Sequence, residues 1–104
     1  GRVALDVRVT TSDSAPVAGA ELRVSISGQL SPWNVWEAFT AATDSAGRFQ
    51  YEVVTFAIAN WVIVRVAVTP PQGSGLSART DSLVTRMWIS TPPADTARFH
   101  IVLR

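Results

Sequence analysis

The sequence predicts an all-β fold, a seven-stranded antiparallel β-sandwich with Greek-key connections. Three observations predict it. Apolar residues alternate with polar ones through most of the chain. Clusters of Gly, Pro, Asp and Ser punctuate that alternation at short intervals. No stretch carries the 3.6-residue period of an amphipathic helix. An open barrel is the alternative for the same pattern. With 104 residues and no linker, low-complexity tract or internal repeat, residues 1–104 read as one domain.

Each element can be justified in order. Val3, Leu5, Val7 and Val9 alternate with Arg2, Ala4, Asp6 and Arg8, the pattern of a half-buried strand. Residues 11–15 are turn chemistry, followed by Pro16 and Gly19. Leu22, Val24 and Ile26 mark a second strand, with Gly28 expected to end it. Residues 28–36 (GQLSPWNVW) hold two Trp around Pro32 and Asn34 and read as an irregular loop. A third strand is expected from Glu37 to Thr43. In the turn Asp44-Ser45-Ala46-Gly47 the Asp can bond its own downstream backbone and the Gly can supply positive φ. Phe49, Tyr51 and Val53 define a fourth strand, expected to form a hairpin with the third.

Residues 61–69 (WVIVRVAVT) are the most β-branched segment, and Pro70-Pro71 stop it. Its near-continuous apolar character predicts a central strand, covered on both faces or by a partner. Residues 70–77 form a loop, a sixth strand lies within Ala78–Ser90, and Thr91–Asp95 is another turn. Phe99, Ile101 and Leu103 mark the last strand. A short helical turn fits either residues 33–38 or 56–60.

Composition excludes several functions. The net charge is +1, with nine Arg, no Lys and eight acids, so no clustered excess of cations drives binding to nucleic acid or anionic lipid. The absence of Cys removes disulfides, thiol catalysis, iron–sulfur clusters and Cys-based zinc sites. No apolar run reaches the roughly 18 residues of a membrane span, because Asn60 and Arg65 interrupt the longest one. No signal peptide is recognisable, and a first residue lying in a strand pattern fits a processed or excised chain. Only 16% of residues are charged, against about 25% in average chains, whereas Ser and Thr fill twenty positions. A surface so poor in charge is expected to be neutral-polar, decorated, or covered by a partner. No Asn-x-Ser/Thr site exists, which leaves only O-linked decoration.

Residues 12–24 (SDSAPVAGAELRV) and 42–49 (ATDSAGRF) resemble the carboxypeptidase regulatory-like domains, which are transthyretin-like, immunoglobulin-like β-sandwiches. Their pattern pairs a Pro-Val-x-Gly-Ala segment with a later Thr-Asp-x-x-Gly-x-Phe turn. Pro16 would rigidify the approach to the second strand, Gly19-Ala20 would allow a tight turn, and Asp44 with Gly47 would present Phe49 to the core. The match covers about a third of the chain and continues more loosely through residues 60–64. The resemblance implies a non-catalytic module, of the kind attached to secreted enzymes, outer-membrane transporters and surface proteins. Two activities of similar folds are excluded by composition. Without Lys, the self-made isopeptide bond of pilin and adhesin modules cannot form. With one His and a C-terminus reading Ile-Val-Leu-Arg, the several-His site of the transthyretin-like hydrolases is missing.

The chemistry-bearing residues are few. His100 lies beside Arg98 on the polar phase of the last strand, and no orienting carboxylate or nucleophile is placed by spacing, so a surface histidine is the simpler reading. Asp13, Asp44, Asp81 and Asp95 sit in or beside turns without calcium-loop spacing and read as turn-capping residues. Gly73-Ser74-Gly75 is no phosphate loop, since neither a helix nor a Lys follows it. Catalytic residues, metals and cofactors are therefore not expected. The Trp residues are the strongest contact candidates. Trp33 and Trp36 are expected in the loop, and burial, sugar binding and an interface all stay open for the pair. Trp61 and Trp88 are expected in strands, with the core the favoured place for both. Arg65 interrupts an apolar strand, either as an edge charge that blocks aggregation or as the mate of a partner's acid.

The resulting expectation is a non-enzymatic, extracytoplasmic module acting through protein–protein contact, as an accessory domain or an assembly subunit. Contact would run through Trp33, Trp36, Trp61 and Arg65, with strand addition at exposed sheet edges as one mode. The second expectation is a carbohydrate-binding module that stacks sugars on the same Trp residues.

Overall fold

The computed structural model describes residues 1–29, 31–55, 60–87 and 96–104, with side chains for all of these except residues 31–33. It is all-β, with seven strands and, among the described residues, no helix. The strands are β1 (Arg2–Thr11), β2 (Glu21–Gly28), β3 (Ser31–Ala42), β4 (Arg48–Val54), β5 (Trp61–Thr69), β6 (Arg79–Arg86) and β7 (Ala97–Leu103). They form a three-stranded sheet in the order β4-β1-β7 and a four-stranded sheet in the order β3-β2-β5-β6.

Alternation drives this arrangement. Val3, Leu5, Val7 and Val9 turn one face of β1 inward, and Leu22, Val24 and Ile26 do the same for β2. Val62, Val64, Val66 and Val68 of β5 meet them, and Ala97, Phe99, Ile101 and Leu103 close the cluster from β7. One apolar core thus lies between the two sheets, a sandwich-like packing of two inner faces.

Three expectations are corrected. The third and fourth strands make no hairpin, because β3 pairs antiparallel with β2 whereas β4 pairs antiparallel with β1. The Asp44–Gly47 turn has the expected chemistry: the Asp44 carboxylate accepts from the backbone N–H of Ala46 and of Arg48, both at 2.9 Å, and Gly47 has φ +72°. It nonetheless carries the chain from one sheet to the other. The sandwich is also not wholly antiparallel, since β7 runs parallel to β1. Finally, residues 31–36 are strand rather than loop, so neither a loop nor a helical turn occupies 33–38. Most of the other proposed helical turn (residues 56–59), Trp88 and the turn at 91–95 lie outside the described residues.

The two segments quoted for the family resemblance meet in space. Thr43 Oγ1 donates to the Val17 carbonyl at 2.6 Å and accepts from the Ala20 N–H at 3.0 Å. The Thr43 N–H donates to the Ala20 carbonyl at 3.0 Å, and the Gly19 N–H donates to the Thr43 carbonyl at 3.1 Å. Gly19, at φ +70°, turns the chain into this lock, and Ala20 is fully buried.

Candidate functional site

The outward face of the four-stranded sheet gathers most of the described candidates. Strand register orders it into rows. Trp61 lies beside Arg86. The next row runs Val35–Ser27–Ile63–Val84 across all four strands. Then come Ala38–Ser25–Arg65–Ser82 and Thr40–Arg23–Ala67–Thr80. Every residue in these rows has the phase opposite to the buried valines of β5, so the face is fixed by the same alternation that builds the core.

Its upper end is apolar. Val35 is 49% exposed, Val84 46% and Trp61 45%, and Ile63 lies half-buried between them. The Arg86 guanidinium stands over the Trp61 ring, 5.4 Å from its centroid, a cation–π arrangement. Below the apolar row the side chains become small. Arg23, Ser25, Ala38, Thr40, Arg65 and Ala67 line a shallow depression of about 360 Å³. Arg23 is paired with Glu21 at 3.3 Å, an exposed contact of little energetic weight. The described face carries Arg23, Arg65 and Arg86 against Glu21, and is otherwise neutral.

The Trp residues separate. Trp36 is half-buried against the core, its ring lying over Gly28, where an added Cβ would stand 2.9 Å from the indole. Gly28 therefore seats Trp36 and does not merely end β2. A register shift between Ile26 and Ser27 makes room for this ring by adding a residue to β3. Trp33 lies in β3, and its side chain is outside the described set. Trp61, favoured above for the core, is instead an outward residue. Arg65 is not an edge charge, because β5 lies between β2 and β6; it projects from the middle of the sheet beside Ser25 and Ser82.

Val35, Ile63, Val84 and Arg86 were not singled out from sequence. The signal was present in 61–69, where Trp61, Ile63 and Arg65 share one phase and Val62, Val64 and Val66 the other. The run of apolar residues hid it.

A second feature opens between the two edge strands β3 and β4. Phe39, Phe49 and Tyr51 cluster with ring centroids 5.7–6.2 Å apart and line a groove of about 480 Å³, with Glu37 and Glu52 also on its walls. Tyr51 is 56% exposed and Val54 63%. His100 stands on the other sheet, its Nε2 hydrogen-bonded to Thr10 Oγ1 at 2.9 Å. Among the described residues no group of three or more His, Asp or Glu could hold a metal ion, and no helix is long and apolar enough to cross a membrane. No family model, curated protein or solved structure matches the chain.

Proposed function

We propose that this chain is a non-enzymatic, extracytoplasmic β-sandwich module that works through protein–protein contact, as an accessory domain or as a structural subunit of a larger assembly. The contact surface is the outward face of the four-stranded sheet, and the exposed Val35, Val84 and Trp61 with half-buried Ile63 among them carry this reading. Isolated exposed apolar residues are ordinary, but contiguous ones mark interaction sites. Interface centres are enriched in Trp and Arg. Trp61, Arg86 and Arg65 are of those types. The unpaired edges of β3 and β4 flank the aromatic groove and offer a second mode, addition of a partner strand.

Kinship with the carboxypeptidase regulatory-like, transthyretin-like sandwiches belongs to the same proposal. Its support is the mutual lock of residues 17–20 with Thr43, which gives the quoted motif a physical purpose. The carbohydrate reading has less to stand on. Trp36 is half-buried, and one face of Trp61 is engaged by Arg86, which leaves no described pair of free coplanar rings.

A thiol label tests the assignment, because a chain without Cys accepts one uniquely. Ser82→Cys places an environment-sensitive fluorophore on the proposed face and Gln50→Cys places it on the other sheet. The expected result is a blue shift with rising protein concentration at position 82 only. An equal response at both positions, or a response at 82 to polysaccharide but not to protein, rejects the proposal.

A further inference from the structure

The outward face of the three-stranded sheet carries a line of basic side chains. Arg8 of β1 is in register with Arg48 of β4 on one side and with His100 of β7 on the other. All three are exposed, and neighbouring strands lie about 4.8 Å apart, so three basic groups stand abreast over roughly 10 Å. Arg98, two residues before His100, stands in the neighbouring row beside Asp6. Among the described residues the ion pairs involve Arg2, Arg23 and Arg79, and Arg8, Arg48 and Arg98 form none, although Asp6 stands in register with Arg98. Like charges directly opposite each other on a sheet are destabilising. A chain with only nine Arg has nevertheless set two of them face to face beside its one His.

We propose that the row Arg48–Arg8–His100 is a docking site for an acidic protein segment, distinct from the apolar contact face on the opposite side of the sandwich. Charge complementarity selects the partner. Guanidinium groups fit carboxylates in a bidentate fork, and exposed single pairs are weak, so occupancy needs several carboxylates engaging the row together. The row is one charge deep. In the next row stand Gln50, Asp6 and Arg98, and in the one beyond Glu52 and Ala4. Glu52 is paired with Arg2 at 3.3 Å and Asp6 stands in register with Arg98, so the row itself holds the uncompensated charge that a single line of Asp or Glu side chains would meet.

His100 completes the row on β7. Its Nε2 is hydrogen-bonded to the buried Thr10 hydroxyl, which leaves Nδ1 for the ligand.

The test uses a fluorescent poly-aspartate oligomer at low salt, with a heparin-derived oligosaccharide as the competing chemistry. The intact protein binds poly-aspartate. The double variant Arg8→Gln/Arg48→Gln loses about tenfold in affinity while its thermal midpoint stays level or rises, since a repulsion is relieved. His100→Gln, which leaves both Arg of the row in place, weakens binding less than that double variant does. The double variant Arg79→Gln/Arg104→Gln, which lowers net charge equally elsewhere, binds as the parent does. The proposal is overturned if that control loses as much affinity, if the parent fails to bind, or if the heparin oligosaccharide binds and poly-aspartate does not.

Discussion

Gly47 and Thr43 illustrate what a single residue decides in this fold. Gly47 has φ +72°, and a Cβ there would stand 2.5 Å from the Val9 carbonyl oxygen and 3.0 Å from the Val17 nitrogen. The Val9 N–H also donates to the Gly47 carbonyl at 2.8 Å, so the turn is pinned to β1. Gly47→Ala is expected to cost upwards of about 2 kcal/mol, combining an unfavourable backbone conformation with a backbone collision that no rotamer relieves. Urea unfolding measures it. Thr43→Val keeps the shape but removes the buried hydroxyl, leaving the Ala20 N–H and the Val17 carbonyl without that partner. The expected loss is about 1–3 kcal/mol. The turn was legible in the sequence, because Asp44 and Gly47 act on backbone close by. The role of Thr43 was not, since its partners lie more than twenty residues away and no local rule links them.

At the scale of elements, β5 shows the division of labour between faces. Val64 is fully buried and its neighbour Arg65 is exposed. Val64→Ala is expected to lose about 2 kcal/mol from burial and cavity terms together. Arg65→Val should change stability by less than about 0.5 kcal/mol, as surface substitutions usually do. It should, however, lower the concentration at which the protein stays in solution, by joining the exposed apolar row to the small-residue zone below it. Unfolding curves and solubility limits on the two variants separate the effects. Strand existence was legible throughout, because β-branched alternation is a local property. Partnership was not. Pro32 and Asn34 made residues 31–36 look like a loop, yet an edge strand with register shifts tolerates a Pro that a central strand would reject. Whether a turn keeps the chain in its sheet, as expected after β3, or moves it across depends on core packing rather than on turn residues. The parallel pairing of β7 with β1 likewise has no signature in residues 97–103.

For the whole molecule, the scarcity of charge has a spatial reading. The charges are not spread evenly over the surface. One outer face carries Val35, Ile63, Val84 and Trp61 with Arg23, Arg65 and Arg86, and the other sets Arg48, Arg8 and His100 in one row beside Asp6 and Glu52. Most of the candidate site became visible only when register placed Val35, Ile63 and Val84 in one row. The central claim is that this row is a contact surface. Multi-angle light scattering over a wide concentration range, on the parent protein and on Trp61→Ser/Val84→Ser, tests it most directly. The account predicts that the average mass of the parent rises with concentration and that the double variant stays monomeric with an unchanged unfolding midpoint. A parent that remains monomeric throughout, and whose Trp emission shifts on addition of polysaccharide, would contradict it.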